Sequence, residues 1–334
     1  MTDSKRIVDV LKRLNVQDKD VMYKHDAELL MHMQRCPEYH IDICRRCVNI
    51  VLSSSSRGSA SDMTLIDLGI SFGLLAVVAA QMGVGKVVCA AVYDENRPAT
   101  EKIVSAVGGN VEIVTAHSVA DVSRWCRAEN IQADAVVAMN TVSEEYVLDD
   151  YFLSIRNLSP EAKVLFTTTA NPYNRGIVRN LRKEMEKMEH GNEGYFELRR
   201  NYINKKYGGL SHKELDYWAA NTRGLAFPDI ERAVESQSPN LLLDPYNTCD
   251  PYSGRWLSRI LPVDEYRQLL SQYGYTLLVM PGFYNEYEHG LKGIANRRHN
   301  RRLHGVYDID GDYSATHTGK RILRHAPFLF MLAK

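Results

Sequence analysis

Three sets of residues have types and spacings that could do chemistry. The first is Asp67-Leu-Gly69-Ile-Ser71-Phe-Gly73, which closes an apolar run. Glycines at such a point let the backbone approach a ligand and aim the N–H groups of the following helix at it. A dinucleotide fingerprint spaces its glycines G-x-G-x-x-G. Counted from Gly69, that template needs glycine at positions 71 and 74, where the chain has Ser71 and Leu74. An acid followed by G-x-G-x-G is the spacing that fits, with Ser71 in the middle place.

The second set is His212, Asp216 and Tyr217 in SHKELDYW. On a helix His212 and Asp216 stand one turn apart, and a carboxylate beside a histidine fixes the tautomer of a general base. The other reading is a solvated helical pair. The third set is Asn296-Arg-Arg-His-Asn-Arg-Arg-Leu-His304, with four arginines and two histidines in nine residues. Guanidinium forks such as Arg298 and Arg301 suit phosphate or carboxylate. Two Asp-Pro-Tyr repeats lie upstream, Asp244-Pro-Tyr246 and Asp250-Pro-Tyr252-Ser-Gly-Arg255-Trp256. They are turn chemistry by default. Their aromatic faces and Arg255 could also grip a sugar or ring.

Two metal readings are weaker. Cys36, His40, Cys44 and Cys47 fall on one helical face, but four ligands from one helix are poorly placed for a zinc tetrahedron. Sulfurs packed against the core are the better reading. Asp308-Ile-Asp310-Gly311-Asp312 begins like a calcium loop, yet glycine comes fourth rather than sixth and no Glu stands twelfth. It reads as an acidic turn, and no metal is assigned.

These residues need elements to position them. From Met63 to Thr169 short apolar runs alternate with helical stretches, five strands with four helices, which predicts parallel βα units covered on both faces. Residues 1–60 read as a helical N-terminal segment ending at SSSSRGSASD. Residues 61–172 and 262–334 form the α/β core, and 173–261 a helical insertion with a Ser211 to Glu214 capping box. The runs YTLLVMPGFY and APFLFMLAK read as a terminal antiparallel pair.

The 334 residues are 45% hydrophobic and 25% charged, so a globular fold is expected. Lys plus Arg and Asp plus Glu both number 41, leaving no global field for nucleic acid or an anionic membrane. MTDSKRIVDVLKRL has no apolar run of targeting length, and six cysteines are too few for a disulfide framework. A cytoplasmic protein with reduced thiols and no membrane partner is expected; a homodimer stays open.

With the elements in place, Asp67 to Gly73 resembles motif I of the class I S-adenosylmethionine-dependent methyltransferases. The resemblance extends to Asp94 at the end of the second strand and to the terminal antiparallel pair. It implies a doubly wound, mostly parallel seven-stranded sheet with an antiparallel last strand, and S-adenosylmethionine as cofactor. It places Asp67, Gly69, Ser71 and Gly73 in the cofactor loop and Asp94 or Glu95 at the ribose hydroxyls. It also places Asn140 beside the methionine moiety. His117 either meets the adenine or is a surface histidine. AMNT is not the Asn/Asp-Pro-Pro-aromatic signature of amino-group nucleic-acid methylation.

Methyl transfer needs alignment and water exclusion more than acid catalysis, with a general base for a hydroxyl acceptor. The expected acceptor is a small or medium polar molecule, phosphorylated or sugar-like, taking the methyl on oxygen. Tyr246, Tyr252, Arg255, Trp256, Arg298 and Arg301 are its expected grips, His212, Asp216 and Tyr217 its catalytic group, and the insertion its lid. Nucleic acid is the less favoured partner. The rivals are an RNA or protein methyltransferase and a non-catalytic binding subunit of the same fold.

Overall fold

The computed structural model describes residues 3–13, 24–55, 58–69, 72–91, 97–107, 110–116, 118–158, 160–282 and 311–334. Seven strands form one sheet in the order β3-β2-β1-β4-β5-β7-β6. They are β1 Thr64–Asp67, β2 Lys86–Ala91, β3 Val111–Thr115, β4 Ala135–Met139, β5 Lys163–Thr168, β6 Leu277–Gly282 and β7 Phe328–Ala333. The first five pair in parallel, and β7 inserts antiparallel between β5 and β6. Central strands such as AVVAM and FLFMLA are buried at every residue, as a sheet covered on both faces requires. Pro281 is tolerated because β6 pairs only with β7 and is an edge strand.

Helices α1 Asp3–Arg13, α2 Lys24–Arg35, α3 Pro37–Ser54, α4 Leu74–Gln81 and α5 Arg97–Val107 contribute to the core on one face. Helices α6 Val119–Ala128, α7 Leu148–Leu158, α12 Val263–Gln272 and the last helix, α13 His317–Leu323, contribute to that on the other. The strand alternation sorts side chains between them: Leu65 joins the first core, Ile66 and Leu68 the second. Helix α3 packs on α4, β4 and β5. Its Ile41, Cys44, Cys47, Val48 and Val51 are buried there, so this helix is a layer of the sheet sandwich. Helix α4, LLAVVAAQ, is apolar all round because α3 covers the side that the sheet does not.

Between β5 and β6 the described residues form no strand. Helices α8 Arg175–His190, α9 Tyr195–Lys206, α10 His212–Asn221 and α11 Phe227–Glu235 fill most of the interval. The expected capping box opens α10: Glu214 N–H donates to Ser211 Oγ at 3.3 Å and Ser211 N–H to Glu214 Oε2 at 2.7 Å. A separate small core of Ile203, Leu215, Trp218, Ile230 and Val234 holds α9 to α11 together. Arg199, fully buried, donates Nε–H to Ala219 O at 2.9 Å and ion-pairs with Glu189 on α8, which also accepts from Thr248 Oγ1 at 2.7 Å. The ionic pair is retained in the interior because each remaining polar atom finds a partner.

The exit from β5 is tied to the last strand. Buried Asn171 donates from Nδ2 to Leu323 O at 2.9 Å and Ala326 O at 2.7 Å, and accepts from Tyr173 N–H at 2.9 Å. Asn171→Ala removes three hydrogen bonds and leaves the Tyr173 N–H without its acceptor, while Leu323 O and Ala326 O keep the Ala326 N–H and Asn174 Nδ2; the expected cost is about 1–2 kcal/mol. Urea denaturation followed by circular dichroism checks this; a loss under about 0.5 kcal/mol would contradict it.

Candidate active site

The chain leaves β1 through a turn with no room to spare. Asp67, 1% exposed, accepts the Gly69 N–H on Oδ1 at 2.9 Å, and Leu68 N–H donates to Val137 O at 2.8 Å. A Cβ on Gly69 would stand 2.8 Å from Met139 Cβ and 2.9 Å from Met139 N, so only glycine lets the turn pass the end of β4. Gly73 caps α4 at φ +74°, where a Cβ would press on Thr100 and Val104 of α5 at 3.0 Å. Phe72 before it also has positive φ, +51°, a conformation costly for a bulky residue and characteristic of functional turns.

Around Asp67 lie three buried thiols. Cys89 is its register partner on β2, and Cys44 and Cys47 project from α3. Burial pushes all three up, with the Asp67 charge adding to the effect, so they stay protonated at neutral pH. His40, expected on the same helical face, bonds His32 at 2.8 Å and is pushed down to about 3 by burial and by His32.

The end of β4 lies beside this turn. Asn140, at φ +58°, donates its N–H to Thr167 O at 3.1 Å and to Thr167 Oγ1 at 3.0 Å, and accepts from that hydroxyl on Oδ1 at 3.3 Å. Asparagine tolerates the left-handed region better than most residues, which lets the chain turn sharply off the strand. Asp67, Gly69, Gly73 and Asn140 are thus brought to one edge of the sheet. Ser71, Asp94, Glu95, His117, Arg298 and Arg301 lie outside the described residues, as do Asp308 and Asp310. Asp312 accepts from Ser314 N–H at 3.0 Å and pairs with Arg267 at 3.0 Å, which makes it a structural anchor.

Residues 140–147, which join β4 to α7, are clasped by the segment leading back from the insertion. Arg255 Nε–H donates to Glu144 Oε2 at 2.8 Å, and Trp256 N–H to Glu144 O at 2.9 Å. The Trp256 ring, buried, stacks on Tyr146 at 6.5 Å with Arg259 above it at 4.8 Å. Tyr146 reaches α11, donating to Asp229 and accepting from Ala226 N–H at 3.0 Å. Arg255 and Trp256, expected as grips on a substrate, therefore hold this loop.

The Asp-Pro-Tyr repeats are Asx turns: Tyr246 N–H donates to Asp244 Oδ1 and Tyr252 N–H to Asp250 Oδ1, both at 3.0 Å. Tyr252, 69% exposed, lies edge-on to Phe227, and Tyr246 lies under Arg182 at 4.9 Å. His212 and Asp216 sit on the exposed side of α10 with Arg200 between them. Arg200 Nε–H donates to Asp216 Oδ1 at 2.7 Å, and Arg200 Nη2 is 3.1 Å from His212 Nδ1. A guanidinium faces the imidazole where a general base needs the carboxylate, and Tyr217 beside them is exposed. This geometry is a surface ion pair.

Sequence reasoning missed Glu145. Its carboxylate makes no hydrogen bond among the described residues, and although solvent reaches part of it, the side chain is closely surrounded. Burial first, then the Glu144 charge, pushes it up to about 7, with Arg255 and Arg259 opposing. Arg259 Nη2 donates to the Glu145 carbonyl at 3.2 Å. Arg259 Nε and the Tyr266 hydroxyl are buried without a hydrogen-bond partner among the described residues. Glu145, Arg259 and Tyr266 thus form one cluster of interacting polar groups, and perturbed groups of this kind mark a candidate site. The only sequence signal was position, five residues past Asn140.

The seven-stranded, mostly parallel sheet with its last strand antiparallel matches what the motif I resemblance implied, and its order is β3-β2-β1-β4-β5-β7-β6. This is the class I methyltransferase fold. Among solved structures the chain is similar to PKMT2 from Rickettsia typhi in complex with AdoHcy, at 13% identity and TM-score 0.41, covering 87% of this chain and 52% of that one. It is also similar to the ribosomal protein L11 methylase from Lactobacillus delbrueckii subsp. bulgaricus, at 20% identity and TM-score 0.28, covering 36% and 59%. A third is the rRNA methyltransferase aviRa from Streptomyces viridochromogenes, at 14% identity and TM-score 0.29, covering 38% and 73%. The chain spans between 37% and 59% of the length of the first three structures it resembles. No family model and no curated protein matches. At these scores the strand order, not the matches, carries the fold assignment.

The shifted glutamate has a consequence for stability. Its folded pKa lies above the ordinary 4.5, so the folded state holds the proton more tightly than the unfolded chain. Stability contributed at low pH is then lost as pH rises from about 4.5 through about 7. Glu145→Gln is expected to flatten that part of the profile and to melt above the native chain at pH 8. Thermal melts at pH 5 and pH 8 check it; unchanged pH dependence would contradict the assignment.

Proposed function

We propose that the chain transfers a methyl group from S-adenosylmethionine to a polar acceptor, on oxygen. The observation that carries this is the turn from Asp67 to Gly73, whose closest approach to Met139 excludes a side chain at Gly69. A backbone cradle of that kind, at the carboxyl ends of β1 and β4, is where an open α/β sheet binds its ligand. The described residues fit the cofactor: Gly69 lets the turn pass close to the end of β4, Gly73 opens α4 from the left-handed region, and Asn140 stands beside the turn.

When bound, S-adenosylmethionine supplies an electrophilic methyl group on sulfur. The chain's own part is to align and to exclude water. Backbone groups of the Asp67 to Gly73 turn hold the cofactor's amino-acid end, and Asn140 orients it. Glu145 takes the proton from an acceptor hydroxyl, and a carboxyl group with a pKa of about 7 is suited to that at neutral pH. Helices α8 to α11 cover the pocket, and Tyr146 couples them to the loop that carries Glu145.

Isothermal titration with S-adenosylhomocysteine is expected to show one site in the native chain and none in Gly69→Ala. Absence of binding to the native chain at millimolar ligand sinks the reading. With an acceptor in hand, Glu145→Gln is expected to lower kcat about 100-fold at unchanged affinity for S-adenosylhomocysteine. The native kcat should rise with pH through about 7.

A further inference from the structure

Helix α8 leaves the same edge of the sheet and carries a row of basic residues that the methyl-transfer chemistry does not use. Arg175, Arg179, Lys183 and Lys187 recur at every fourth position. Residues so spaced share one side of a helix, and from first to last they span about 18 Å at about 1.5 Å per residue. All four are exposed, and among the described residues none makes an ion pair or side-chain hydrogen bond. Each like-charged neighbour one turn away destabilises an isolated helix, so the row works against the fold unless an anion answers it.

The row lines a cleft of about 730 Å³ whose other walls include Pro172, Arg182, Glu186 and Tyr246. Its acids are already answered. Glu186 accepts from Arg223 Nη1 at 2.9 Å, and Asp244, beneath Tyr246, pairs with Arg182 at 2.8 Å. Among the described residues four positive charges therefore face the cleft uncompensated, in a chain whose formal net charge is zero. A single phosphate or carboxylate would engage one or two of them. A row of this length requires a linear polyanion with regularly spaced charges. Tyr246, 39% exposed under the Arg182 guanidinium, offers the aromatic and planar cationic surfaces on which bases stack.

We propose that the cleft along α8 binds the sugar–phosphate backbone of a single-stranded nucleic acid. Helix α8 starts seven residues beyond the last residue of β5, at the carboxyl end of the strand next but one to β1. The methyl acceptor is then a group on that nucleic acid, a conclusion that rests on the methyl-transfer reading. Zero net charge argued against this partner, but four uncompensated charges on one cleft act locally.

The test is fluorescence anisotropy of a labelled 12-nucleotide single-stranded RNA of mixed sequence with the full chain, without cofactor. Neutralising four phosphates predicts a salt slope of about −2.8, that is, about 50-fold weaker binding at 200 mM than at 50 mM salt. Lys183→Ala is expected to lower the slope to about −2.1. The fourfold variant R175E/R179E/K183E/K187E should lose binding while keeping its circular dichroism spectrum and melting transition. If that variant unfolds, the Lys183→Ala slope decides. No binding at 50 mM salt, a salt-independent affinity, or an unchanged slope in Lys183→Ala overturns the proposal. So does equal competition by polyglutamate, or capture by phosphatidylglycerol vesicles. Titration with S-adenosylhomocysteine tests the methyl-transfer reading independently, so either can fail alone.

Discussion

The arrangement depends on how closely β1 and β4 end. Parallel neighbours in register bring their carboxyl ends side by side, and here the chain leaving β1 must pass Met139 with no space for a side chain. Glycine at position 69 follows from that contact, as the left-handed turn at Gly73 follows from the packing of α5. The turn is held by a buried carboxylate, Asp67, set among thiols that burial keeps neutral. Helix α3 supplies two of those thiols, so the N-terminal residues support the turn directly.

A second constraint fixes the other side of the pocket. The loop after β4 is not left to fold by itself. Arg255 and Trp256 hold Glu144, and Tyr146 bonds into α11. Stacked rings, an ion pair and backbone hydrogen bonds leave little freedom to a segment that lacks regular structure, and such preorganisation is what positions catalytic groups. The loop's Glu145 meets the cost of that enclosure in its raised pKa. The helical insertion is stabilised on its own account by the small core around Trp218 and by the buried Glu189 and Arg199 pair. It bears on the site through Tyr146 and the 249–260 segment.

The sequence was informative wherever local periodicity and local chemistry agree. Alternating apolar runs gave all five parallel strands, the capping box gave the start of α10, and the spacing of Asp67, Gly69 and Gly73 separated this turn from a dinucleotide loop. It was silent on the partners of the residues to which function was assigned by type. His212 and Asp216 satisfy the spacing of a general-base pair, yet Arg200, twelve residues before His212, occupies the space between them. Arg255 and Trp256 have the composition of a sugar platform, yet their partners are Glu144 and Tyr146, more than a hundred residues away.

What the sequence determined by itself was the succession of elements, the glycine turn after β1, and the α/β layering, because each depends on residues close along the chain. The tertiary structure alone decided which polar groups are left without partners. The raised Glu145, the orphaned Arg259 Nε and the uncompensated row on α8 all depend on what distant segments do or do not bring alongside. Charge pairing and desolvation are set by proximity in space, and no spacing along one chain records them.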